Sequence, residues 1–287
     1  MIAAGRWYVT YGSRKDVFRL WNLADIHWMN KACAEDKVRA DCAEIKRDPF
    51  SLWIGGGDYA DFIGYRDKRF DPDAVAPWVP VKKLGDLGRY GMEQIRNLFL
   101  PIRDKCCGLI VGNHELRYEL ATEQESLHSW LCTELDVPSL GYSCLFDLLF
   151  VRKSTKRPTL SRVVGSKSET FSRKRFRIFA HHGAGYAQTP GGKLNRLVGF
   201  MQSFDADIYM VGHVHDNVAR HEPALGADDR CSSIVQRQRL GIVAGSYLKT
   251  YQQGTTTYGE QRGYRPTSLN AAVAIINPEH GTIQARV

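Results

Sequence analysis

Five short apolar runs in this chain each stop abruptly at acids, amides or histidines. "FRLWNLADIHW" delivers Asp25 and His27, and "SLWIGGGDYAD" delivers Asp58 and Asp61. "GLIVGNHE" ends in Asn113, His114 and Glu115, "RFRIFAHHG" in His181 and His182, and "DIYMVGHVHD" in His213 and His215. Six of the nine histidines belong to this set, so the pattern is not scatter. A brief apolar run bounded by turn residues reads as a buried strand. In open α/β sheets, ligands collect just beyond the carboxyl ends of strands. The chain is therefore constrained to fold so that five strand exits meet at one crevice. His213 and His215, two apart at a strand exit, are expected to point the same way into it.

The stretches between these runs supply the rest of an α/β chain. "FRLWNLA" (18–24) reads as a strand, and Val38, Cys42 and Ile45 keep helical spacing until Asp48-Pro49. "SLWIGG" is a second strand, followed by a Pro-rich loop from Phe70 to Pro80. Leu87, Gly91, Ile95, Leu98 and Ile102 mark the next helix, which Pro101 should kink or end. "GLIVG" is the third strand, with a helix from about Thr122 to Leu135 after it. "YSCLFDLLF" and "RFRIFA" have no helix between them and are expected to form an antiparallel pair. Leu194, Leu197, Met201 and Phe204 give the last helix, and strand-like runs such as "LGIVAGSYL" and "NAAVAIINP" follow. The order starts with βαβ units and finishes β-rich.

Composition excludes several classes. The apolar share of 43% over 287 residues suffices for a substantial core, and no run approaches the length of a transmembrane helix. "MIAAGRWYVTYGSRKD" lacks the apolar block of a secretory signal, so a cytoplasmic protein of one domain spanning 1–287 is expected. The seven cysteines have no metal-ligand spacing and read as reduced, mostly buried small hydrophobes. The net charge of +8 is local. Ten Lys or Arg and one acid, Glu169, lie between Arg152 and Arg177, which leaves 29 bases and 30 acids elsewhere. This basic insertion, at about 152–173, could contact nucleic acid through phosphates or could be a solvated hairpin extension. If its flanking strands are antiparallel neighbours, it lies at the end opposite the histidines.

Gathering so many imidazoles and carboxylates without a cation would be costly, since each must neutralise or find a partner. A bound cation reverses that penalty. Imidazole, carboxylate and amide donors without thiolate suit manganese, iron or zinc better than calcium or magnesium. The number of donors exceeds the needs of one ion and suits two that share a carboxylate. Lone histidines such as His128, His221 and His280 are read instead as satisfied by local hydrogen bonds.

The ordered set "DIH", "GDYAD", "GNHE", "HHG" and "GHVH" resembles the calcineurin-like metallophosphoesterase superfamily, including uncharacterised bacterial and phage members, over about two-thirds of the chain. The resemblance implies a four-layer α/β/β/α sandwich with two mixed sheets flanked by helices. It implies that Asp25, His27 and His215 hold one divalent ion, Asn113, His181 and His213 hold another, and Asp58 bridges both, with manganese expected first and iron or zinc as alternatives. His182 is the alternative to His181. It further implies hydrolysis of phosphodiesters or phosphomonoesters by a hydroxide between the metals, with His114 as general acid oriented by Asp61. Glu115 is expected to hold its loop rather than touch substrate. Phe62 stands where protein Ser/Thr phosphatases of the superfamily carry arginine, which argues against a phosphoprotein substrate. Trp28 and Tyr247 could line the pocket or simply pack. A manganese-dependent DNA nuclease of the same superfamily is the second reading, and a metal-binding scaffold without activity the third.

Overall fold

The structure, a computed structural model, describes residues 1–62, 70–122, 126–163, 173–185, 189–228 and 230–286. Its elements run β1 (Ile2–Tyr11), β2 (Phe18–Leu23), α1 (Glu35–Arg47), β3 (Ser51–Gly55), α2 (Leu87–Phe99), β4 (Cys106–Leu109), α3 (Asn113–Thr122), α4 (Leu127–Leu135), β5 (Ser143–Arg152), β6 (Thr159–Arg162) and β7 (Arg173–His181). Then follow α5 (Pro190–Ser203), β8 (Ile208–Val211), β9 (Val218–Ala227), β10 (Ile234–Val243), β11 (Ala272–Asn277) and β12 (Thr282–Arg286).

The strands form two mixed sheets. One has the order β6-β1-β5-β7-β8-β10-β9 and the other β12-β11-β2-β3-β4. Between them lies a dry core, in which Trp7, Val9, Phe146, Leu148, Ile178 and Ile242 meet Phe18, Leu20, Leu52, Ile54 and Ala274. The outer face of the smaller sheet is covered through Trp21, Trp53 and Leu109 by Val38, Ile95, Phe99 and Leu131 of α1, α2 and α4. The larger sheet packs Phe179, Tyr209 and Val243 against Leu197 and Met201 of α5. The result is the expected α/β/β/α sandwich, with helices on both outer faces and the edge strands β6, β9 and β12 largely exposed. No helix among the described residues is long and apolar enough to cross a membrane. All seven cysteines are free thiols, six of them buried.

Several local expectations need correction. β4 begins at Cys106 and ends at Leu109, so Ile110 to Gly112 are loop rather than strand. The helix expected from about Thr122 to Leu135 is α4, capped by the Ser126 side chain, which accepts from the Ser129 N–H, while α3, from Asn113 to Thr122, precedes it and was not expected. α2 stops at Phe99, and Pro101 sits in the 3-10 turn that follows. β5 and β7 are the antiparallel pair that was expected, from Ser143↔His181 to Val151↔Arg173. Part of the basic insertion, 164–172, lies outside the described residues. Its described start is not a free hairpin, because β6 pairs with β1 from Trp7↔Arg162 to Thr10↔Thr159.

This topology positions the site. β2, β3 and β4 are parallel neighbours in one sheet, and β7 and β8 are parallel neighbours in the other. All five carboxyl ends emerge at the same end of the sandwich.

Candidate metal centre

The loops leaving β2 and β3 continue as a hydrogen-bonded pair beyond the sheet. Asp25 N–H donates to the Gly57 carbonyl at 3.0 Å, Ile26 N–H to Asp58 at 2.9 Å, and Trp28 N–H to Tyr59 at 3.0 Å. Within these loops and the one after β8 the backbone repeatedly turns left-handed at residues that bear side chains. Asp25 (φ 54°), His27 (φ 50°), Asp58 (φ 53°), His213 (φ 69°) and His215 (φ 46°) all do so. Such conformations cost energy for non-glycine residues and persist only where surrounding structure holds them. Here each one turns a potential metal donor into the crevice. His213 and His215 therefore converge because of their turns and not because of strand alternation. β8 has ended at Val211 before either residue.

The two central carboxylates are arranged alike. Asp25 Oδ2 accepts the His213 backbone N–H at 2.8 Å, while its Oδ1 makes no hydrogen bond and stands 3.3 Å from His215 Nε2. Asp58 Oδ1 accepts the His114 N–H at the start of α3 at 2.9 Å, and its Oδ2 stands 3.3 Å from His182 Nε2. Each carboxylate thus spends one oxygen on another motif's backbone and turns the second toward an imidazole. A helix N-terminus favours such an anion. Asp25, Asp58 and His182 are fully buried, and His27 is nearly so.

Donor atoms fall into groups whose members all lie within 4.8 Å of one another. They are Asp25, His27 and His215; Asp58, His182 and His213; and His27, Asp58 and His114. His27 Nε2 and His215 Nε2 are 3.4 Å apart. His182 Nε2 is 3.0 Å from Asn113 Oδ1, and its Nδ1–H donates to the Gly56 carbonyl at 2.8 Å. Separations of 3.3–3.4 Å match the edge of a tetrahedron whose centre-to-donor bonds are about 2.0–2.1 Å, the ordinary metal–imidazole distance. The unpartnered Asp25 Oδ1, the opposed ring nitrogens and the absence of thiolates in the set fit borderline divalent cations. Asp58 belongs to two groups and is placed to serve both.

His182, not His181, enters the cluster. β7 runs to His181, whose pairing with Ser143 turns its ring outward, where it stacks on Phe200 at 4.8 Å and accepts the Gly183 N–H at 2.7 Å. The next residue faces the opposite way, toward Asp58. The choice of His181 at this position is thus corrected by strand alternation.

Electrostatics suit ligation. Burial, then the neighbouring His114 and His215, push His27 down to about 3, and burial lowers His213, so both stay neutral donors. Burial would also lower His182, yet Asp58 and Asp25 overcome it and carry its pKa up to about 10. Burial opposes ionisation of Asp58 and Asp25, but the imidazoles beside them hold both carboxyls below the ordinary range. In the metal-free chain, protonated His182 is thus the local cation that the two buried carboxylates require.

The supporting groups are equally specific. Glu115 is fully buried and clamps two loops, accepting N–H groups from Gly112 at 2.9 Å, Asp58 at 3.1 Å and Tyr59 at 2.7 Å. A β-carbon on Gly112 would sit 2.2 Å from both the nitrogen and Oδ1 of Asp58, so only glycine fits there. His114 stands edge-on to His27, with ring centroids 4.9 Å apart. Its Nδ1 is 3.6 Å from Asp61 Oδ1, which is ion-pair range but beyond a hydrogen bond, and Asp61 Oδ2 accepts from Asn30 Nδ2 at 2.5 Å. Asn30 was not singled out from sequence, since nothing in its spacing marks it. Trp28 and Tyr247 are both buried, and the Tyr247 hydroxyl donates to buried Asp41 at 2.7 Å, so neither lines an open pocket. Phe62 is also buried and packs near Tyr118, with ring centroids 5.7 Å apart.

No family model matches the chain, and no curated protein matches it. Solved structures do. A conserved uncharacterized protein of Streptococcus pneumoniae, described as a predicted phosphoesterase, is 10% identical over 94% of this chain and 99% of that one, with a TM-score of 0.33. A metallophosphoesterase of Sphaerobacter thermophilus is 14% identical over 94% of this chain and 87% of that one, at a TM-score of 0.36. The NAD nucleotidase NadN of Haemophilus influenzae is 10% identical over 95% of this chain and 49% of that one, at a TM-score of 0.39.

Proposed function

We propose that this chain is a metal-dependent phosphoester hydrolase that works through two divalent ions sharing Asp58. One observation carries the reading. Two carboxylate–imidazole groups, one on Asp25 and one on Asp58, adjoin at the meeting of five strand exits, and Asp58 lies within 4.8 Å of His27 from the first group as well as of His182 and His213 in its own. Asp25, His27 and His215 would hold the first ion. Asn113, His182 and His213 would hold the second. When bound, the pair supplies Lewis-acid polarisation of a phosphoryl group and lets water act as nucleophile at neutral pH.

The chain's own residues do the remainder. The backbone N–H of His114 and that of His213 fix the two carboxylates in orientation before any ion arrives. Gly56 holds the His182 ring by Nδ1, which sets its tautomer once ligated. Beside the first group, the His114 ring is placed to give a proton to a leaving oxygen, with Asp61 3.6 Å from its Nδ1. Manganese is the ion proposed first, with iron or zinc compatible with the same donors. The substrate is a small phosphodiester or phosphomonoester.

The test is a panel of a chromogenic diester, a chromogenic monoester and single- and double-stranded DNA, each with manganese. Turnover of a chromogenic ester, lost on chelation and restored by the metal, is expected. A His114→Asn variant should retain both ions and lose about 10²–10⁴-fold in rate. Metal-loaded His114→Asn enzyme of wild-type rate would overturn that assignment, and cleavage confined to DNA would favour a nuclease.

A further inference from the structure

The end of the sandwich opposite the metal centre carries a second polar concentration, which the proposed reaction leaves unused. The turn after β1 contributes Arg14 and Lys15, and the turn after β5 contributes Lys153, Lys156 and Arg157 beside Arg152. These two turns are packed together. The Lys153 N–H donates to the Tyr11 carbonyl at 2.9 Å, and a β-carbon on Gly12 would come within 2.4 Å of the Thr155 carbonyl oxygen. The turn between β11 and β12 adjoins them, since Glu279 lies 3.3 Å from Arg14 and 3.5 Å from Arg152, and a β-carbon on Gly281 would sit 2.7 Å from Lys174 Nζ.

The local charge is lopsided. Of the two acids in these turns, Glu279 is engaged by Arg14, Arg152 and the Tyr11 hydroxyl, and Asp16 accepts the N–H groups of Gly12 and Ser13. Lys15, Lys156, Arg157 and Lys174 are exposed and have no ion pair among the described residues. Arg14 and Lys15 belong to no basic run in the sequence. Only the packing of two turns about 140 positions apart, counting from Gly12 to Thr155, unites them with the insertion.

We infer that this pole is a docking surface for the phosphate backbone of double-helical nucleic acid. Three features choose that partner. Seven Lys or Arg against two engaged acids present a polyanion-binding charge. None of the exposed large hydrophobic residues lies in these turns, so the surface lacks the apolar side chains that would enter a membrane interface. Among the described residues it also lacks an exposed aromatic platform for the stacked bases of a single strand, Tyr11 and Phe18 both being buried. Ser13 and Ser154 add neutral donors between the cations. Contact of this kind is independent of base sequence and sensitive to salt.

The docking surface does not feed the metal centre. β7 starts with Arg173 and Lys174 at this pole and ends at His181 beside the site, and its nine residues place roughly 30 Å between the two. A bound duplex would tether the protein and leave the crevice open.

Fluorescence anisotropy with the whole chain and a labelled 20-base-pair duplex tests this without reference to hydrolysis. With about five phosphates engaged, affinity should fall about 500-fold between 50 and 200 mM salt. The variant R14Q/K15Q/K156Q/R157Q should bind at least about 50-fold more weakly at 50 mM salt and retain a shallow salt dependence. Its melting temperature, expected within a few degrees of wild type, checks the fold, and K15Q/K156Q should give an intermediate loss. No duplex binding at 50 mM salt, wild-type binding by the quadruple variant, or tighter binding to phosphatidylserine vesicles or to a single strand of the same length would each overturn the inference.

Discussion

His27 and His215, 188 positions apart in the chain, bring their Nε2 atoms to 3.4 Å from one another. Both residues have left-handed backbone, and Asp25 Oδ1 lies 3.3 Å from the same His215 nitrogen. Three donor groups at this spacing suit the positions around one cation.

The two adjacent histidines after β7 should behave differently. His182→Ala should abolish stable binding at one of the two ion positions, because His182 Nε2 faces both Asp58 and Asn113. His181→Ala should leave metal content unchanged and cost about 1 kcal/mol through the lost stack on Phe200. Metal analysis of the two purified variants, with thermal melts, separates them.

Glu115→Gln should weaken the metal centre without removing a donor. The substitution keeps the shape but replaces one acceptor oxygen, so the N–H groups of Asp58 and Gly112 or that of Tyr59 lose their carboxylate. A loss of about 2–3 kcal/mol in stability and about 10–100-fold in metal affinity is expected. Denaturant melts of the metal-free form and metal titration measure the two.

Gly112→Ala should be as damaging as loss of a donor. Its β-carbon would displace Asp58, which sits 2.2 Å away at both nitrogen and Oδ1. Metal content below one ion per chain is the expected result, whereas Gly85→Ala, with open space around it, should bind as wild type.

Stability of the metal-free protein should fall on the alkaline side. The folded chain holds the His182 proton up to about 10, above the ordinary imidazole value of 6.5. A proton bound more tightly in the folded state stabilises fully below about 6.5 and is lost as pH rises through about 10. Melting temperature with chelator should therefore decline between those limits. With manganese present His182 is a ligand and carries no such proton, so this part of the decline should vanish, and metal binding at pH 7.5 should release about one proton. Melts against pH with chelator and with manganese, plus calorimetry in two buffers, check both.

Most of the site could be read from residue types at strand exits, because a buried run that stops at charged groups has few structural explanations. What could not be read has local causes. The inner face of β7 depends on where α5 packs, and "HHG" alone does not reveal that Phe179 and His181 share the outer face. α3 escaped notice because it lacks a buried apolar stripe, Leu116 and Leu120 being partly or largely exposed. In β1 the alternation that should announce a strand slips at Gly5, where φ is 96° and the register with β5 shifts. The left-handed turns at His213 and His215 likewise follow no propensity, and they are where the backbone departs furthest from local preference to serve the site.

The central claim is best tested by anomalous diffraction from crystals grown with excess manganese. Two peaks are predicted, one within bonding distance of Asp25, His27 and His215, the other of Asn113, His182 and His213, with Asp58 touching both. A single peak, or two peaks with Asp58 bound to neither, would contradict it.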